Sequence, residues 1–140
     1  MSDEDELLVD YDDTLALSNE AVIGWHNDYY GTSDVVGPNS YDLSILWNVG
    51  RDEVERRFLE YVDSMAHDKA EPLPHARESL MRLRKSYSIS LLTARKLETE
   101  RRTRVWLNAV TPSTFSNLHF TGQFSMLEGA RRTKGQICAV

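Results

Sequence analysis

The stretch "LLVDYDDTLALSN", residues 7–19, sets three carboxylates, Asp10, Asp12 and Asp13, directly behind a wholly apolar run. Leu7 to Val9 reads as a short buried strand of a parallel sheet. Negative charge packed at the mouth of such a strand repels itself unless a cation, a proton or a helix end offsets it. The segment therefore asks for something positive at its strand end.

Downstream patterning supplies the rest of a sheet. "SISLL" (Ser88 to Leu92) is a second apolar run and "NLHF" (Asn117 to Phe120) a weaker third. Between them, "KLETERRTRVWLNAV" is rich in straight-chain helix formers and stops before Thr111-Pro112, where a helix should end. Ahead of the second run, "PLPHARESLMRLRKSY" offers Pro74 for a first helical turn. It also carries Ala76, Leu80, Leu83 and Tyr87 at helical spacing, a face to pack on a sheet. Strands alternating with helices imply an α/β fold with a parallel sheet and ligands at the carboxyl ends of the strands, where "DYDD" stands.

Residues 15–71 exceed one crossover helix. "SNEAVIGWHNDYYGT" reads as a helix stopping near Gly31, with Ser18 or Asn19 as cap, and "GPNSYD" as a turn. "RDEVERRFLEYVDSMAHD" puts Val54, Phe58, Tyr61, Val62 and Met65 on one face. The section reads as a helical insertion, a lid over the strand ends or simply more helical core. The expected organisation is an acidic disordered tail over 1–6, a core over 7–14 and 72–140, and the insertion over 15–71.

At 140 residues with 41% hydrophobic and 27% charged residues, the chain is one ordinary globular domain's worth. Its net charge of −6 gives no general reason to bind a nucleic acid polymer or a membrane, although basic residues gather at Arg101, Arg102, Arg104 and again at Arg131, Arg132, Lys134. Cys138 is the only cysteine and reads as a small buried residue. A lone cysteine, an acidic start unlike a signal peptide and no run of membrane-spanning length together suit a cytoplasmic protein.

D-x-D also begins an EF-hand, but that loop needs glycine at its sixth position and glutamate at its twelfth, and here those are Leu15 and Ala21. His26, His67, His75 and His119 show no metal-ligand spacing. Trp106 reads as core. Trp25 and Trp47, in the insertion, are the two that merit testing against a nucleobase. Asn19 and Glu20, early in the first insertion helix, are also within reach of the site, unless capping accounts for them.

Strand plus D-x-D-x-T fits a different chemistry. A carboxylate fixed at a strand end can attack phosphorus if a cation screens its repulsion from an anionic substrate, and Mg²⁺, with its preference for oxygen ligands, suits the task. "LLVDYDDTL" resembles motif I of the haloacid dehalogenase (HAD) superfamily of phosphohydrolases, and "SISLLTAR" resembles its motif II, an apolar strand ending in threonine. "EPLPHARESLMRLRKSYSISLLTAR" is similar to that family's segment between cap and core. Lys134 in "TKGQICAV" matches the motif III lysine. The nearest variety is the group of small proteins related to 5'(3')-deoxyribonucleotidases, which share D-x-D-D and a following "NE".

The resemblance implies a HAD-type, Rossmann-like sheet with an inserted helical cap, acting on small phosphomonoesters, nucleotides among them, with Mg²⁺ as cofactor. Asp10 would be the nucleophile and a metal ligand. Asp12 would give the metal its backbone carbonyl, and its side chain would serve as general acid and then base. Thr93 would hydrogen-bond the transferring phosphoryl group and Lys134 would neutralise it, while Thr14 and Arg95 would contact substrate. The acid at Asp12 favours phosphate over dehalogenase chemistry, because halide leaves without a proton.

That family also places one or two aspartates at the end of the next strand, completing the magnesium site. Nothing acidic follows Lys134, and Glu128 is a lone carboxylate in "SMLEGA". The expectation is a chain cut short before motif IV, with the sheet incomplete at its C-terminus and "LLV" left as an edge through which copies would self-associate. Losing a metal ligand would cost several kcal/mol, and each 1.36 kcal/mol is about tenfold in rate, so the activity expected is low or nil. The alternative is a non-catalytic module that binds phosphate or a partner without turnover.

Overall fold

A computed structural model describes residues 5–38, 40–121 and 138. The chain divides into two compact units, Met1–Leu15 with Pro72–Val140, and Ala16–Glu71. The first is an α/β unit whose described residues form a three-stranded parallel sheet in the order β1-β2-β3, made of β1 (Glu6–Val9), β2 (Ser88–Thr93) and β3 (Asn117–Phe120). Among the described residues its longer helices are α4 (Ala76–Leu83) and α5 (Glu100–Val110).

β2 is the buried centre of the sheet. Ile89, Ser90, Leu91, Leu92 and Thr93 are all buried, as expected of a parallel strand flanked on both sides. Of the two hydroxyls inside that run, that of Ser90 is satisfied by donating from Oγ to Glu6 Oε1 at 2.7 Å. Burying a hydroxyl without such a partner would cost about 1–3 kcal/mol.

Four expectations for this unit are corrected. β1 is not a buried strand: its residues alternate between exposed and half-buried, with Leu8 exposed, and among the described residues it pairs only with β2. It also begins at Glu6, whose side chain satisfies Ser90, so residue 6 belongs to the sheet and not to the expected tail. In α4 only Leu80 is fully buried. Leu83 and Tyr87 are exposed, and Pro74 precedes the helix, whose N-cap is His75 in the left-handed region at φ 65°. Cys138, expected inside, is an exposed free thiol.

The second unit is helical. α1 (Ser18–Tyr30) ends at Gly31, which takes φ 68° and so closes the helix where a side chain would be strained. α2 (Leu43–Trp47) is capped by Asp42, whose Oδ1 accepts from the Ser44 and Ile45 amides. α3 (Arg51–Asp63) leads into a 3-10 turn, Met65–Lys69. The apolar core gathers Val22, Ile23, Trp47, Tyr61 and Val62. On α3 the buried residues are Tyr61 and Val62, whereas Phe58 is exposed, and Met65 lies beyond the helix and in solvent. α1 has Leu17 at its N-cap, not Ser18 or Asn19. Asn19 instead donates to the Ser40 carbonyl at 2.9 Å.

A histidine sits inside this helical core. His26 is wholly buried, its ring stacked on Trp47 at 4.0 Å and on Tyr30 at 4.7 Å. Arg57 Nη1 lies 2.9 Å from Nε2, and a guanidinium can only donate, so Nε2 accepts and the ring proton sits on Nδ1. Nδ1 then donates to Thr32 Oγ1 at 2.9 Å, and Thr32 donates onward to Asn27 Oδ1 at 2.8 Å. Burial first and the Arg57 charge second hold the imidazole below its ordinary pKa, against a smaller opposing pull from Asp34. Glu53 is drawn down to about 2 by hydrogen bonds from Arg56 and then Arg57.

Candidate active site

β1 ends at Val9, paired with Leu91, so Asp10 leaves the sheet at the carboxyl end of its strand. Thr93 is the last residue of β2, at the same end of the adjacent parallel strand. Neighbouring strands lie about 4.8 Å apart, so the register brings these two positions together. Asp10 Oδ1 accepts the Tyr11 amide at 2.8 Å, which fixes the side chain beside its own backbone.

The chain turns sharply after that. The Tyr11 carbonyl accepts the Leu15 amide at 2.9 Å and the Thr14 amide at 3.3 Å. Asp13 takes φ 57°, a left-handed conformation that aspartate tolerates far better than bulky residues. The third carboxylate of "DYDD" thus has a backbone reason for its place. Thr14 is exposed.

Asp12 is held by Arg95. Arg95 Nη2 donates to Asp12 Oδ1 at 2.9 Å, and Nε lies 3.3 Å from Oδ1 and 3.2 Å from Oδ2. The arginine is 8% exposed, whereas the Asp12 side chain is 40% exposed. Arg95 is itself clamped: Nη1 donates to Thr103 Oγ1 on α5 at 3.2 Å, and the guanidinium carbon lies 4.0 Å from the centre of the Tyr11 ring. Tyr11 is backed edge-on by the buried Trp106 at 5.1 Å. Guanidinium over a tyrosine face is a favourable contact in its own right.

Thr93 completes the turn. Its Oγ1 accepts the Arg95 amide at 3.2 Å and its carbonyl accepts the Thr121 amide at 2.9 Å, with the side chain fully buried. The structure therefore brings Asp10, Asp12, Thr93 and Arg95 to one end of the sheet. Lys134 lies outside the described residues, as does Glu128.

Tyr11, Thr103 and Trp106 belong to this cluster although the sequence drew no attention to them as site residues. Tyr11 lies between the two aspartates, and its near-complete burial is the signal that an alternating pattern would have given in a longer strand. Trp47 and Trp106 are core residues, and Trp25 stacks on Tyr29 at 5.3 Å. Glu20 is exposed. Among the described residues no group of three or more histidine, cysteine or acidic side chains gathers as a metal cluster. No helix among them is long and apolar enough to cross a membrane.

By sequence, the chain matches no protein-family model and no curated protein. By structure it is similar to a haloacid dehalogenase-like family hydrolase from Streptococcus pneumoniae, with a TM-score of 0.63 and 13% identity over 99% of this chain and 69% of that one. It is also similar to the HAD-hydrolase YfnB from Bacillus subtilis, described with magnesium bound, with a TM-score of 0.54 and 13% identity over 86% of this chain and 66% of that one. A third match is a subfamily IA HAD-superfamily hydrolase from Geobacter sulfurreducens, with a TM-score of 0.52 and 18% identity, covering 86% and 64%. The chain spans about two thirds of the length of these proteins. Its parallel sheet, crossed by helices and interrupted after the first strand by a helical unit, is the fold of HAD-superfamily hydrolases.

Proposed function

We propose that this chain is a phosphomonoester hydrolase that works through an aspartyl-phosphate, with nucleotides among its candidate substrates. The observation that carries the reading is the placing of Asp10 and Thr93 at the same end of adjacent parallel strands, with the Asp12 carboxylate anchored two residues on. The helical unit is the inserted cap in chain order.

In the first half-reaction an Asp10 oxygen attacks phosphorus and the ester P–O bond breaks. The departing alkoxide takes a proton from the Asp12 carboxyl. In the second half, water attacks the phosphorus, gives its proton to the Asp12 carboxylate, and the bond from phosphorus to Asp10 breaks. Inorganic phosphate leaves and both aspartates return to their starting states. Lys134 would neutralise charge on the phosphoryl group. Thr93 serves first by building the turn that carries Arg95, and its hydroxyl would reach a phosphoryl oxygen once uncovered.

The donor set fits magnesium. Asp10 offers a carboxylate and Asp12 a backbone carbonyl, both hard oxygen ligands of the kind that ion prefers. When bound, it would screen the repulsion between Asp10 and an anionic ester.

The test is turnover of phosphomonoesters with Mg²⁺. Hydrolysis is expected to fall by more than about a thousandfold in Asp10→Asn and to vanish with a chelator. Phosphate binding without turnover would establish the non-catalytic module instead.

A further inference from the structure

Arg95 is the residue whose surroundings are least explained by binding substrate. Its guanidinium is buried, takes Asp12 through two nitrogens and Thr103 through the third, and lies over Tyr11. An arginine meant for an incoming phosphate would keep its donor fork turned outward. Here the fork is spent on a carboxylate of the same chain. Of that pair it is the carboxylate, not the cation, that keeps contact with solvent.

The groups that fix the arginine are themselves packed or hydrogen-bonded. Tyr11 is backed by Trp106, Thr103 sits one turn along α5 from Trp106, and the Arg95 backbone is tied to Thr93 at the end of the central strand. A side chain held on four sides loses little further freedom when it orients another, and that economy is what precise proton transfer requires.

We infer that Arg95 is a positioning residue that aims the Asp12 carboxyl at the leaving oxygen, and is not a phosphate ligand. The inference rests on the hydrolase reading above. It replaces the substrate contact that the sequence suggested for Arg95.

The consequence depends on the leaving group. Proton delivery matters greatly to an alkoxide and little to 2,4-dinitrophenolate, which departs unaided. General acid catalysis contributes about 10²–10⁴-fold. Loss of aim should therefore slow an alkyl phosphate by about a hundredfold and the dinitrophenyl ester by less than about tenfold, with the loss in kcat and KM almost unchanged. A damaged fold would slow both esters alike.

The experiment compares β-glycerol phosphate with 2,4-dinitrophenyl phosphate in the unmutated chain, Arg95→Lys and Thr103→Val, with folding followed by circular dichroism. Arg95→Lys keeps the charge and loses the planar fork, so the selective loss is expected there. Thr103→Val keeps shape and removes only the acceptor for Nη1, so it should show the same bias at smaller size even if the lysine variant unfolds. Equal losses on both esters, a change confined to KM, or unaltered kinetics in both variants would overturn the inference. No turnover by the unmutated chain would defeat the hydrolase reading and this inference with it, whereas turnover with equal losses defeats this inference alone.

Discussion

Each unit is held together internally by a different kind of bond. In the sheet unit the backbone sets the register: Val9 faces Leu91, Thr93 faces Phe120, and the side chains follow from that pairing. In the helical unit no ladder exists among the described residues, and specificity rests on particular rings and charges, His26 between Trp47 and Tyr30 and Arg57 over Tyr30 at 4.3 Å. Backbone pairing tolerates exchange among apolar side chains of similar volume. A stacked, hydrogen-bonded histidine tolerates almost none.

The sharpest way to break that contrast is to remove one ring. Trp47→Ala should cost about 3–5 kcal/mol, because it deletes a buried indole and leaves the His26 face without a neighbour. Hydrogen exchange should then accelerate over residues 16–71 while the amides of β2 keep their protection. Equal acceleration in β2 would show that the units unfold as one, and the distinction would fall.

The same contrast decides what could be read from the sequence. β2, β3, α5 and the close of α1 at Gly31 were legible, since apolar runs, helix formers and a left-handed glycine act over a few neighbouring residues. So was the placing of Asp10 at a strand end. What escaped depends on partners distant in the chain. The burial of Arg95 follows from Asp12, 83 residues earlier, and nothing local announces which acid an arginine will find. The exposure of Leu8, Leu83 and Phe58 escaped for a related reason: periodicity says which residues share a face, not whether anything covers it. His26 at helical spacing looked like any other polar position until Trp47 was seen to stack on it.

A middle-sized effect probes the turn that follows β1. Asp13 at φ 57° sits in a region that costs a branched residue about 1–2 kcal/mol. Asp13→Val should lower the melting temperature accordingly and by more than Asp13→Gly, because glycine adopts that conformation freely. If both variants lose stability equally, the third carboxylate of "DYDD" matters for its charge and not for its backbone.

The smallest effect concerns acid. His26 is kept neutral in the fold by burial and by Arg57 on α3. Charged or titratable groups around this network include Asp34 in the following loop, Tyr30 on its own helix with Glu60 and Arg56 at its hydroxyl, and Glu53, which pairs with Arg57. Because the folded pKa lies below the ordinary histidine value of about 6.5, the unfolded chain takes up a proton before the folded one does. The stability that the neutral ring contributes is thus complete above that value and drains away as the pH falls toward the folded pKa. Between pH 7.5 and 6 the loss from one such group is under about 1 kcal/mol. Protonation would set an N–H on Nε2 against the Arg57 donor, so the loss should appear in the exchange rates of residues 16–71 and leave those of β2 untouched. His26→Gln loses the ring stacking and is expected to be less stable, but it cannot titrate and should flatten the pH dependence of the helical unit. A slope that persists in that variant would move the titrating group elsewhere and remove the histidine from the account of why this unit is specific.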